Sequence, residues 1–174
     1  MLDRECYRFT EPFESTVLHQ YQDTGGVVTV GTGIALRSLA DVARLSWTPN
    51  PQAACADFTI VSLQAKGHLA SFYRQFCVSR LRSDPRELFL SRLHDMQALI
   101  ATRWKLYDQP LNAQVALSDL VFNCGPAGLN KFAKLHAAVM ARDWETAAVE
   151  SRRKKPVSDE RNAAVAALFR ALVG

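Results

Sequence analysis

Phe13-Glu14-Ser15-Thr16-Val17-Leu18-His19-Gln20-Tyr21-Gln22-Asp23-Thr24-Gly25-Gly26-Val27-Val28-Thr29-Val30-Gly31-Thr32-Gly33 is the stretch on which the reading of this chain turns. Upstream of it, residues 1–14 read as a short helix that carries Tyr7 and Phe13 inward and ends at Glu14. From Val17 to Leu36 the pattern is β, with a turn at Asp23-Thr24-Gly25-Gly26. Gly25 and Gly26 are expected to supply the positive φ angles of a tight hairpin. Strand alternation sets Val27 and Thr29 on one face, and Val28 and Val30 on the other. Asp23 therefore enters a turn nine residues after Glu14, and Thr29 sits on the returning strand six residues later. Alone, Glu14 reads as a surface helix residue and Thr29 as a good strand former. Together, two carboxylates and a hydroxyl at one hairpin mouth are the groups that cleave a glycosidic bond. One carboxyl protonates the leaving oxygen, the other handles a water, and their separation sets the stereochemistry.

These residues resemble the catalytic segment of the phage-type lysozymes (glycoside hydrolase family 24, endolysins), in which Glu, Asp and Thr follow at this spacing and Gly-x-Gly closes the segment. A second block, Gln114-Val115-Ala116-Leu117-Ser118-Asp119-Leu120-Val121-Phe122-Asn123-Cys124-Gly125, resembles that family's later helix ending in Phe-Asn-x-Gly. A third, Asp143-Trp144-Glu145-Thr146-Ala147-Ala148 with Ser158-Asp159-Glu160-Arg161-Asn162 and Leu168-Phe169, resembles its C-terminal helices. Three blocks in the same order span most of the chain. The chain departs from the pattern at Ser15, where the family commonly has glycine, and at Ile34, where histidine commonly follows Gly-x-Gly. The longer middle segment and the Ser-Asp-Glu-Arg-Asn ending resemble a divergent branch found in bacteriocins and interbacterial effector lysozymes.

The resemblance implies roles. Glu14 would be the general acid, Asp23 and Thr29 would hold the attacking water, and the product would be inverted. Asn123 and Gly31 would contact substrate, and Arg161 would lie close to the catalytic glutamate. Asn123 reads equally as a helix C-cap before Gly125, and Arg161 as a surface ion pair of small value. A free glutamate titrates at about 4.3, so an acid catalyst at Glu14 is expected at a desolvating junction, against Phe13 and the C-terminal lobe.

At 174 residues the chain can bury one good core. Its 48% hydrophobic and 22% charged content is ordinary for a globular protein. No apolar run approaches a membrane span, and the N-terminus does not read as a signal peptide. Synthesis in the cytoplasm is expected, with delivery by another system to the cell wall in the periplasm of host or target. The net charge of +4 favours polyanions weakly. Its densest run, Arg152-Arg153-Lys154-Lys155, reads as a solvated loop with weak attraction to an anionic wall, and no nucleic-acid motif accompanies it. Cys6, Cys55, Cys77 and Cys124 lack Cys-x-x-Cys spacing and read as free, largely buried thiols. A nucleophilic Cys124 served by His94 or His136 is the weaker reading, because no activating motif surrounds it.

Elsewhere, Ser38-Leu39-Ala40-Asp41 starts a short helix. Trp47 to Pro51 reads as a loop, and Phe58 to Val78 as mostly a second helix with Leu69, Phe72, Tyr73 and Phe76 on its apolar stripe. Asp84-Pro85-Arg86-Glu87 is a strong helix start, continued through about Leu106 by Leu88, Phe89, Leu93, Met96, Leu99, Ile100 and Trp104. Further helices follow from Asp108-Gln109-Pro110 to Gly125-Pro126, around Leu129 to Met140 with His136 as a satisfied core residue, and from Asp143 and Ser158.

The expected fold is α+β and lysozyme-like. A single domain, 1–174, holds a sheet-bearing lobe with a helical insertion (15–83) and a helical lobe (84–174). A long helix joins them, a cleft lies between, and helix 1–14 packs near it. The resemblance makes peptidoglycan the substrate, with no metal or cofactor, and allows an immunity protein or secretion-system component as partner. It leaves two rivals: a lytic transglycosylase, which uses one glutamate and against which Asp23 argues, and a non-catalytic lysozyme-like protein that binds cell wall or a partner.

Overall fold

Pro85 cannot donate a backbone hydrogen bond, and Asp84 accepts one from the Arg86 N–H at 2.8 Å, so the chain starts its longest helix here. In the computed structural model, which describes residues 1–14 and 16–174, that helix (α5, Pro85–Trp104) ends where Lys105 takes a left-handed conformation, φ 43°. Phe89, Leu93, Gln97, Ile100 and Trp104 form its buried stripe. Leu99, expected on that stripe, is 71% exposed: its helical angle carries it to the outer face.

The described chain divides into two compact units. One is Glu14–Ser91. It holds an antiparallel sheet of β1 (Thr16–Gln22), β2 (Val28–Thr32) and β3 (Ile34–Leu36), in that order. Tyr21 pairs with Thr29 and Gln22 with Val28, while Thr29 and Val28 pair on the other side with Ala35 and Leu36. Between the Val17–Gly31 and Tyr21–Thr29 pairs, β1 carries two more residues than β2, so it bulges. The face made by Gln22, Val28 and Leu36 packs under α2 (Leu39–Ala43) and α3 (Pro51–Ser62). Its buried glutamines are satisfied by α3 and its continuation. Gln20 donates to the Ala54 carbonyl at 2.8 Å, and Gln22 to those of Val61 at 2.6 Å and Gln64 at 2.9 Å. Val28, Val30, Leu36, Val42, Trp47, Val61 and Tyr73 make the core of this unit.

Three expectations for this unit are corrected. Only Gly26 has positive φ (83°) in the first turn; Gly25 does not, because Asp23 rather than backbone strain closes it. Trp47–Thr48 is a short strand, β4, paired with β5 (Arg80–Leu81), and Asn50 caps α3 by accepting the Ala53 N–H at 2.9 Å. No single helix runs from Phe58 to Val78. α3 starts at Pro51 and stops at Ser62, Gly67 turns the chain at φ 92°, and α4 (Ala70–Tyr73) follows; Leu69 is 80% exposed. The Ser38 hydroxyl accepts the Asp41 N–H at 3.2 Å, as its capping box predicts.

The other unit joins Met1–Phe13 to Arg92–Gly174. Helix α1 (Leu2–Thr10) stops earlier than expected, because Pro12 diverts Glu11–Phe13 into a 3-10 turn; its inward residues are Cys6 and Thr10 rather than Tyr7 and Phe13. Helix α6 (Leu111–Leu129) runs through the centre and kinks at Gly125 (φ 70°, ψ 166°) without ending there. The helices α7 (Ala133–Ala141), α8 (Trp144–Glu150) and α9 (Asp159–Arg170) pack around it. Asp143 and Ser158 cap α8 and α9 by accepting the N–H groups of Thr146 and Arg161, each at 3.1 Å. His136 is satisfied by the Arg103 carbonyl, 3.0 Å from Nε2, and meets the edge of Trp104.

Candidate active site

Asp23 is held by its own turn. Its Oδ1 accepts the N–H groups of Gly25 and Val27, each at 2.8 Å, while its backbone N–H donates to the Val27 carbonyl at 2.9 Å. A short carboxylate closing its own turn is the local chemistry that favours Asp here. The second oxygen, Oδ2, has no hydrogen-bond partner among the described residues. Thr29 lies on the central strand, 3% exposed, and its hydroxyl donates to the Val27 carbonyl at 3.0 Å. Its proton is thus committed, and its oxygen retains only acceptor capacity.

Tyr21 lies on β1, two residues before Asp23. It faces Thr29 across the sheet, and alternation sets Asp23 on the same face. Burial pushes its phenol up to about 12, and the Glu14 and Asp23 carboxylates push in the same direction. Glu14, half-buried, follows the 3-10 turn and precedes β1. Ser15, where the chain departs from the family's glycine, lies outside the described residues.

Gly31 belongs to the same unit, and its glycine has a packing reason. At φ 62°, a Cβ there would stand 3.3 Å from Leu81 Cδ2 and 3.7 Å from Pro85 Cβ. Ile34 packs against the core of that unit in β3. Asn123 and Arg161 belong to the other unit. Asn123 is exposed near the Gly125 kink.

Arg161 corrects the surface-ion-pair reading. It is 5% exposed, and its Nη2 donates to Asp119 Oδ1 at 2.7 Å, with Nε 3.2 Å from each carboxylate oxygen. Arg153 donates from Nη1 to Asp119 Oδ2 at 3.0 Å and is 6% exposed, so the basic run is not wholly solvated. Asn162 fixes Arg153 by accepting its backbone N–H and donating to its carbonyl. Thr10 donates its hydroxyl to Asp119 Oδ1 at 3.1 Å, and the Phe13 ring lies 5.5 Å from Arg161 Cζ. Asp119 thereby secures the segment that leads to Glu14. Sequence reasoning passed over Asp119, whose signal is one carboxylate in the apolar run Val115–Phe122, and Tyr21, whose signal is its position two residues before Asp23.

The thiols are free; Cys6 and Cys77 are buried, and Cys55 and Cys124 partly so. Burial raises the Cys124 thiol, which donates to the Leu120 carbonyl at 2.9 Å, the opposite of an activated nucleophile. His94 pairs with Asp3 at 2.8 Å. Among the described residues no cluster of three His, Cys, Asp or Glu side chains could hold a metal ion, and no helix is long and apolar enough to cross a membrane.

The sequence profile of the phage lysozyme family matches residues 11–168, which include both acids, Thr29, Asn123 and Arg161. The chain belongs to the phage lysozyme family. As a phage lysozyme it has an α+β, lysozyme-like fold and is a lysozyme-type peptidoglycan hydrolase, acting on cell wall. No curated protein matches this phage lysozyme significantly by sequence.

Proposed function

We propose that the chain is an inverting N-acetylmuramidase, hydrolysing the β-1,4 bond between N-acetylmuramic acid and N-acetylglucosamine. Glu14 gives its proton to the glycosidic oxygen as the C1–O bond breaks and its electron pair passes to that oxygen. A water attacks C1 from the opposite side and loses a proton to Asp23. The observation that carries this reading is the pair of vacant acceptors in the hairpin. Asp23 Oδ1 is saturated by two backbone N–H groups while Oδ2 has no partner among the described residues, and the Thr29 hydroxyl proton is committed to Val27. Two acceptors on one sheet face take both hydrogens of a water and leave its lone pair for carbon. Such geometry needs carboxyl groups roughly 6.5–9.5 Å apart.

In the same reading Asn123 and the Gly31 backbone contact substrate, and Arg161 orients the acid. The enzyme serves as an endolysin or as an antibacterial effector, reaching the wall after delivery by another system. Two experiments test the chemistry. Glu14→Gln and Asp23→Asn should each abolish lysis of purified walls while the protein stays folded. Proton NMR of fresh digests should show the α anomer first; the β anomer first would refute inversion.

A further inference from the structure

Lys66 lies across the turn that carries Asp23. A Cβ added at Gly26, three residues after Asp23, would stand 3.7 Å from Lys66 Cβ and 3.4 Å from its Cδ, so the aliphatic stem covers that glycine. Buried side chains hold the segment before Lys66 from two directions. Gln22, the residue next to Asp23, donates to the Val61 and Gln64 carbonyls at 2.6 and 2.9 Å, and the fully buried Tyr73 donates its hydroxyl to the Ala65 carbonyl at 2.8 Å. Gly67 then turns the chain at φ 92°. The backbone of Lys66 is thus fixed beside the hairpin, its stem rests on the turn, and the residue is exposed. Its ammonium makes no ion pair and no hydrogen bond among the described residues, with Asp23 or any other group.

We propose that Lys66 is a specificity-determining residue that binds a carboxylate of the peptide stem carried by N-acetylmuramic acid. This rests on the hydrolytic reading above, which brings C1 of that sugar to Asp23. The lactyl carboxyl of the sugar is in amide linkage to the stem, so the glycan itself is uncharged. The anions nearest the scissile bond are then the free carboxylates of the stem peptide. An unpaired ammonium flanking the Asp23 turn is the complementary charge. Because the stem of Lys66 already lies on Gly26, less rotamer freedom is lost when the anion arrives. The contact is an exposed charge pair, so salt screens it and its contribution is modest.

Co-sedimentation with insoluble purified peptidoglycan, in the cold and at low salt, tests this on the full chain. An exposed charge pair is worth at most about fivefold in affinity. Lys66→Gln should therefore weaken binding by about two- to fivefold and Lys66→Glu, which adds repulsion, by about tenfold, while Lys66→Arg binds as wild type does. On walls whose peptide carboxylates have been converted to amides, all four proteins should bind alike. Lys131→Glu removes an exposed cation from the other unit and controls for net charge; it should weaken binding to native walls by less than about twofold. The proposal is overturned if Lys66→Glu binds native walls as wild type does, if its loss persists on amidated walls, or if Lys131→Glu loses as much. Glu14→Gln, assayed for lysis beside these variants, separates the two failures. An inactive Glu14→Gln with unaltered binding by the Lys66 variants removes the Lys66 role alone, whereas an active Glu14→Gln removes the hydrolytic reading beneath it.

Discussion

Replacing Asp119 by asparagine keeps the shape of the side chain and removes its charge. In the folded protein that charge faces two guanidinium groups, with side chains of Arg153, Arg161 and Asp119 only 4%, 6% and 0% exposed. Asparagine retains one carbonyl acceptor where the carboxylate accepts from Arg153, Arg161 and Thr10. Two buried cations then lose their counter-charge. Removing one member of a buried ion pair costs about 3–5 kcal/mol, against a total stability of about 5–15 kcal/mol for a typical domain. At about 2–4 °C per kcal/mol for a chain of this size, the melting temperature should fall by about 6–20 °C. Urea melts of wild type and Asp119→Asn give the free energy directly, with the slope checked for two-state behaviour. The exposed Arg152–Asp159 pair at 2.9 Å is the internal control, and Asp159→Asn should cost at most about 1 kcal/mol. An Asp119→Asn cost below about 1 kcal/mol would refute the argument that this carboxylate organises its unit.

Thr29→Val is nearly isosteric and deletes the hydroxyl that donates to Val27, so it should destabilise by about 1 kcal/mol while reducing kcat far more; lysis assays beside thermal melts separate the two. Gly31→Ala adds a Cβ at φ 62°, 3.3 Å from Leu81, and should cost about 1–3 kcal/mol through strain, read as a lower denaturation midpoint. Burial pushes the Cys6 thiol from 9.0 up to about 12 and the Cys77 thiol up to about 11. The unfolded chain therefore releases these protons first, and stability, full below pH 9, should fall as pH rises from 9 towards 12. Each withheld proton contributes a slope of about 1.4 kcal/mol per pH unit, and Cys6→Ala should flatten the fall seen in melts between pH 8 and 11.

Short-range chemistry was legible in the sequence. Asp23 followed by two glycines between β-branched runs announced the first hairpin, and Asp84-Pro85, Asp143 and Ser158 announced helix starts that the backbone adopts. Where two local signals compete, the sequence alone does not decide between them. Thr48-Pro49-Asn50-Pro51 carries both loop and helix-start chemistry, and Asn50 with Pro51 decides for a helix. The aromatic spacing after Phe58 imitates one helix, but Gly67 turns the chain and leaves Leu69 in solvent. Long-range pairing was not legible at all. Arg153 reads as part of a solvated basic run because its partner, Asp119, lies 34 residues earlier. Thr10 reaches the same carboxylate across 109 residues, and the bulge in β1 that precedes Tyr21 has no local marker.

In the proposed mechanism Glu14 drives hydrolysis of the glycan strand. Digestion of purified peptidoglycan, with the new ends identified by mass spectrometry, tests it most directly. Wild-type protein should release fragments with reducing N-acetylmuramic acid ends, and folded Glu14→Gln should release none. Anhydro ends, an undigested glycan, or undiminished turnover by Glu14→Gln would contradict it.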